Sequence, residues 1–305
     1  MVQSVFDQVL IAFLLMLVGM AGYRFGLISD ETNKQITNLV LAIASPALIL
    51  SSYQIEFSEA LSQNIIYSLL VAVGVHLILI IGADCVIKKK NKEWRIEKFS
   101  LIYTNCGFIG IPLGQAIFGS EGVIYVTSYI TVFNILLWTH GYLLMSGKKL
   151  TKHTLKKIVF NPALIAVVVG MLTYVLQIKF PFVVDGTLKH LGNLNTPLAM
   201  MTAGVSVMQA GLGQALQNRK LFKISFLRLL VFPVIVFLML KAIPITVTVK
   251  NAILLCTACP TGATGIMFAI KYGKNDAYAS HIFSMTTALS LITLPVVSFC
   301  CTYFG

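Results

Sequence analysis

"YTNCGFIGIPLGQAIFG" (Tyr103–Gly119) lies inside a long apolar stretch, yet it carries an asparagine, four glycines and a proline. Proline removes an amide donor and crowds the carbonyl one turn back, and each glycine lowers helix propensity by about 1 kcal/mol. Inside a bilayer the freed backbone groups find no water. They are tolerated only where they are buried in protein or line a wet cavity. The stretch therefore predicts a spanning helix that is broken on purpose.

The surrounding chain supports the membrane setting. Of 305 residues, 57% are hydrophobic and only 11% charged, too few charges to cover a water-soluble protein of this length. Apolar runs of about 20 residues, the length that crosses roughly 30 Å of hydrocarbon, recur from end to end. The opening "MVQSVFDQVLIAFLLMLVGMAG" lacks the basic start and short apolar region of a cleaved signal and reads as a first span. Windows of this kind place ten spans at roughly 8–26, 34–53, 63–87, 97–118, 121–145, 157–177, 186–210, 220–243, 249–272 and 276–303.

The net charge of +12 raises the question of nucleic acid, but the basic residues sit in short connections between apolar runs. Eighteen of the 23 Lys and Arg follow odd-numbered spans, and only Lys179, Lys189, Lys241 and Lys250 lie on the other side. The charge bias predicts a multi-pass protein with both termini outside and the 5–6 loop cytoplasmic, with the plasma membrane (a bacterial inner membrane) as the expected site. No nucleic-acid partner is expected. Cys85, Cys106, Cys256, Cys259, Cys300 and Cys301 all fall in apolar stretches, and Cys256-x-x-Cys259 has no second pair or His beside it. Packed thiols are the better reading than a metal or redox pair, and no metal site is expected.

Five spans per half force the second half to enter the membrane from the opposite side, so a repeat would be inverted. Ser45-Pro46 in span 2 is echoed by Thr196-Pro197 in span 7, and Gly119 at the end of span 4 by Gly273 at the end of span 9. The expected division is a first five-helix repeat over 1–147, a short cytoplasmic loop over 148–156 and a second repeat over 157–305. Span 9 carries its own interruption, "TACPTGATG" (Thr257–Gly265), at the position matching that of span 4. A lone Pro112 or Pro260 would read as a kink. Paired breaks in inverted halves point instead to a transporter binding site, where half-helix N-termini offer free amides to an anionic group.

"TNCGFIGIPLGQAIFG" and "ACPTGATGIMFAIKYG" resemble the span-4 and span-9 motifs of the auxin efflux carrier family, and the ten-span layout with a cytoplasmic 5–6 loop extends the resemblance over essentially the whole chain. The resemblance implies an all-α fold of two inverted five-helix repeats, shared with bile acid/sodium symporters. Broken spans 4 and 9 would cross near the midplane, and a scaffold group would face a mobile, elevator-like transport group, both drawn from the two repeats. The short central loop is similar to that of the compact prokaryotic branch, whose members resemble malate and other organic-acid permeases. The family's second crossover polar position falls near Cys259, so auxin specificity does not carry over.

The expected substrate-binding set is Asn105, Cys106, Gly107, Gly110, Pro112, Cys259, Pro260, Thr261, Gly262 and Thr264, with interhelical glue bonded to a neighbouring backbone as the alternative for Asn105. Ionisable residues within spans are few, and each is a candidate for coupling or counter-charge: His76, Asp84, Arg228 and His281. Plainer readings stand beside them. Asp84 lies one turn before Lys88 and would pair with it. Arg228 would snorkel to the cytoplasmic face. A buried neutral His bonded to a carbonyl is the commoner fate of His76 and His281, and His140 near the end of span 5 reads as interfacial. With no carboxylate clearly at the midplane, proton coupling, sodium coupling and facilitated transport all stay open, and no cofactor is expected. The function expected is secondary transport of small organic anions such as malate, malonate or auxin-like acids. A sodium-coupled bile acid-type symporter and an anion channel are the alternatives. His-Glu-x-x-His is absent and no Gly-x-Ser has a His partner, which argues against an intramembrane enzyme. Partners expected are the substrate and the lipid bilayer, with a homodimer left open.

Overall fold

The computed structural model describes residues 2–89, 92–147, 160, 162–209 and 218–300. The expected 148–156 loop with its lysines, the start of the sixth window and Cys301 lie outside the described residues. Among the described residues there is no strand, and every apolar window falls on a helix or a pair of helices. These are α1 Val2–Arg24, α2 Asp30–Ser52, α3 Glu59–Val86, α4 Trp94–Ile102, α5 (106–118), α6 (120–146), α7 Pro162–Val175, α8 Phe182–Asn193, α9 Asn195–Gln209, α10 Arg219–Ala242, α11 Val247–Ala258, α12 Thr264–Lys271 and α13 Asp276–Cys300. Among the described residues, five helical stretches, Asp30–Ser52, Glu59–Val86, Cys106–Ser146 (α5 and α6 together), Arg219–Ala242 and Asp276–Phe299, are long and apolar enough to cross a membrane.

Local chemistry sets the helix starts. Ser29 caps α2, its Oγ accepting the Thr32 amide at 3.1 Å ahead of Asp30 and Glu31 in the first turn. Asn218 caps α10 in the same way through the Lys220 amide, at 3.0 Å. Three of the four π-helical segments among the described residues end two positions before a proline: Val40–Ala44 before Pro46, Cys106–Gly110 before Pro112 and Leu227–Val231 before Pro233. A proline has no amide to give and its ring clashes with the carbonyl four residues back. The wider π turn moves that carbonyl away, so the helix continues through the proline.

Most helices carry a lipid-type face. On α3, Ile66, Leu70, Val73, Leu77 and Ile81 form an exposed stripe, while Ser68, Ala72, Val75, His76, Leu79 and Ala83 on the other side are buried. The helices sort into two packed groups. Helices α1, α2, α7, α8 and α9 hold one another, and α3–α6 pack with α10–α13 around the broken segments. The closest contact in the first group is between α1 and α9. A Cβ on Gly19 would lie 2.0 Å from the Met201 carbonyl oxygen, and one on Gly204 would lie 2.0 Å from that of Met16. Only glycine allows the two backbones to meet. The Ser-Pro and Thr-Pro echoes also touch, because Ser45 Oγ donates to Oδ1 of Asn195, next to Thr196-Pro197, at 2.7 Å.

Candidate functional site

The two interrupted spans meet at their interruptions. Helix α4 stops at Ile102, and α5 starts at Cys106; α11 stops at Ala258, and α12 starts at Thr264. Between them the extended segments pass antiparallel, with Thr104 bridged to Thr261. The Asn105 amide donates to the Pro260 carbonyl at 2.7 Å, and the Gly262 amide to the Tyr103 carbonyl at 3.0 Å. Side chains reinforce the crossing: Thr261 Oγ1 donates to the Ser100 carbonyl at 3.0 Å, and the Thr261 amide donates to Thr286 Oγ1 on α13 at 3.3 Å. The unwinding is thus stabilised by exchanged hydrogen bonds, as buried backbone requires.

This geometry narrows the first break to the start of the expected stretch. Residues 106–112 are helical, and Pro112 lies inside the half-helix, two positions beyond the π turn. The chain leaves the helix at Tyr103–Asn105, where span 9 offers partners, and not at the proline, which the π turn accommodates. The sequence echo at Gly119 and Gly273 is matched in conformation: both have positive φ, 65° and 60°, and each follows the second half-helix of its span.

Two kinds of helix terminus therefore converge. At the N-terminal ends of α5 and α12, the amides of Cys106, Gly107, Ala263 and Thr264 find no backbone acceptor among the described residues. The side chain of Asn105 is half-buried and without a hydrogen-bond partner among the described residues. Gly107 faces open space, since a Cβ there would meet nothing within 4 Å. Ala263 is exposed, and Thr264 Oγ1 is buried without a partner among the described residues. Free amides at two positive dipole ends can hold a carboxylate or a comparable oxyanion. The rest of the expected set stands behind this face. Cys106, Gly110, Pro112, Cys259, Pro260 and Gly262 are buried, and a Cβ on Gly110 would touch Cys106 Cβ and Cys256 Sγ at 3.5 Å and Cys259 Sγ at 3.8 Å. Those residues pack the crossing, and Thr261 directs its hydroxyl to Ser100.

At the C-terminal ends of α4 and α11 stands Arg228, which is 0% exposed. It does not snorkel. It projects from the π segment of α10, and its Nη1 donates to the Leu101 carbonyl at 3.2 Å. Its Nη2 donates to the carbonyls of Cys259, at 3.0 Å, and Thr257. Each helix C-terminus carries about half a negative charge, so one guanidinium offsets two. A signal for this was present in the sequence. Arg228 lies nine residues beyond Arg219, about 13.5 Å along a helix, deeper than a side chain snorkels.

Among the remaining ionisable residues, Asp84 and His140 line one cavity together with Lys98. His76 is buried, its Nδ1 is 2.7 Å from the Ala72 carbonyl and its ring lies against Tyr129 at 4.7 Å, the commoner arrangement for an intramembrane His. Asp84 pairs with Lys98 across on α4 and not with Lys88, because Lys98 is held nearly buried over the Trp94 ring. His140 is half-buried with Nδ1 2.8 Å from Tyr103 Oη, which itself donates to the Leu136 carbonyl at 3.0 Å. His281 is half-buried on α13. Tyr103 and Ala263, which the sequence did not single out, join the crossing through their backbone. Among the described residues, no group of three or more His, Cys, Asp or Glu could hold a metal ion.

Sequence relatives of this protein cover most of the chain. A family model described as a membrane transport protein matches residues 4–154 and 148–298. An uncharacterized transporter of Methanocaldococcus jannaschii is 28% identical over 305 residues, spanning 94% of this chain and 96% of that protein. An uncharacterized transporter of Methanothermobacter thermautotrophicus is 26% identical over 303 residues, spanning 96% of this chain and 97% of that protein.

Proposed function

Since the chain belongs to the auxin efflux carrier family of membrane transport proteins, we propose that it is a secondary transporter of small organic anions whose binding site is the open face of the crossing. The observation that carries the proposal is the segregation of termini. The C-terminal ends are closed by Arg228, while the N-terminal ends keep amides that have no backbone acceptor among the described residues, beside the Asn105 carboxamide. A carboxylate would accept from the amides of Cys106, Gly107, Ala263 and Thr264, with Asn105 and Thr264 Oγ1 orienting it.

Two packed groups of helices fit an elevator-type alternation, in which α3–α6 and α10–α13 carry the crossing past a scaffold of α1, α2 and α7–α9. An inverted repeat is supported by exchanged partners. Span 1 packs on span 7 and span 6 packs on span 2, the pattern expected when two related halves swap neighbours. The proposed sidedness, termini outside and the 5–6 loop cytoplasmic, rests on the charge bias of the loops.

The test is uptake into proteoliposomes by purified protein, screened across labelled mono- and dicarboxylates. Asn105→Ala is expected to lower saturable uptake by at least about tenfold, a loss of about 1.4 kcal/mol of binding or transition-state stabilisation, with an unchanged melting temperature. Near-normal uptake by this variant would sink the site assignment, and uptake that never saturates would favour a channel.

A further inference from the structure

Carbonyls freed by unwinding, converging from two half-helix C-termini, are the group with which an inverted-repeat transporter holds a coupling cation. In this protein the carbonyls of Leu101, Thr257 and Cys259 form such a group, and the Arg228 guanidinium already occupies it. None of the eleven acidic residues lies between residues 186 and 275, so α10, α11 and α12 bring no carboxylate to this charge. The acids of α3 and α4 nearest in sequence are engaged elsewhere, Asp84 with Lys98 and Glu97 with the Tyr278 hydroxyl at 2.9 Å. The countercharge to Arg228 is the pair of helix dipoles and the carbonyls themselves.

A guanidinium also differs from a metal ion in that it cannot leave. It is covalently part of α10, keeps its proton across the physiological range, and spreads its charge over a planar fork that reaches several carbonyls at once. The rigid α10 delivers it through a π turn whose position is dictated by Pro233. We propose that Arg228 is a resident cation that takes the place of an exchangeable coupling ion at the crossing. The unwound segments then stay charge-balanced throughout the transport cycle without Na+, Li+ or K+. The inference rests on the transport reading only in calling that ion a coupling ion. The occupancy of the carbonyl group is a property of the protein at rest.

The experiment is thermal unfolding of the purified, detergent-solubilised full chain at constant ionic strength in sodium, lithium, potassium or choline chloride. The wild type is expected to melt at one temperature in all four salts. Saturable stabilisation by sodium alone overturns the proposal. Arg228→Ala is expected to melt lower and to be restored by millimolar guanidinium or methylguanidinium but not by urea, which has the same shape without the charge. Equal restoration by urea, or none by any cation, also overturns it. If the alanine variant does not fold, Arg228→Lys and Arg228→Met decide. The lysine variant is expected to fold and keep the salt-independent melt, and the methionine variant is expected to be the less stable. The reverse order counts against a charge role. None of these readouts needs a substrate, so the result stands whichever organic anion is carried, and uptake driven by an imposed sodium gradient in the wild type would contradict it directly.

Discussion

The α1–α9 contact and the crossing of α4–α5 with α11–α12 both bring two backbones together in the interior of an apolar protein, by opposite means. At the first, both helices stay intact and closeness comes from the absence of side chains at Gly19 and Gly204. At the second, both helices are opened, and closeness is maintained by exchanged amide–carbonyl bonds, two threonine hydroxyls and a buried arginine. Tight packing alone therefore needs no unwinding. The extra polar groups at the crossing stabilise something that packing does not require, namely four amides at two helix N-termini left without a backbone acceptor among the described residues. Compact packing belongs to the α1–α9 group and the proposed binding site to the other.

Substitutions at glycines can break or sharpen that contrast. The largest effect is expected for Gly204→Val, whose Cβ would meet the Met16 carbonyl oxygen at 2.0 Å. The helices must separate, at a cost of about 3 kcal/mol or more, and purification should yield little monodisperse protein. A wild-type melting curve would show that this contact is looser than glycine packing demands. A smaller loss, about 2 kcal/mol, is expected for Gly262→Ala, because its methyl group would press on the Thr104 carbonyl oxygen at 2.9 Å. Both melting temperature and transport should fall together, and a stable but inactive variant would mean that the crossing tolerates displacement. The smallest change in stability, within about 0.5 kcal/mol, is expected for Gly107→Ala, whose methyl group meets nothing within 4 Å and whose helix propensity improves. Its effect should appear in the apparent affinity for the organic anion, and an unchanged KM would place the substrate elsewhere.

Much of this was legible in the residues themselves. The apolar windows coincide with helices because a run long enough to span a bilayer is also long enough to form a stable buried helix. Paired breaks are readable from Thr104–Pro112 and Thr257–Gly265, but not that the first opens at Tyr103–Asn105 and leaves Pro112 helical. The reason is the π turn, which lets a helix pass through a proline when a neighbouring segment makes another site better to unwind. Asp84 was matched with Lys88, its neighbour in sequence, whereas the fold supplies Lys98 from the next helix. For Arg228 the snorkelling reading fails on depth, since the side chain is fully buried.

By itself the sequence determined a multi-pass helical chain, two matched interruptions, and the paired positions of Gly119 and Gly273 beyond them. Each of these follows from bonded geometry and from the polarity of a residue and its near neighbours. Only the tertiary structure decided which carbonyls Arg228 closes, which amides stay free, and where two backbones touch. Those outcomes depend on distances between segments far apart in the chain, such as the 3.2 Å from Arg228 Nη1 to the Leu101 carbonyl, and no local preference encodes them.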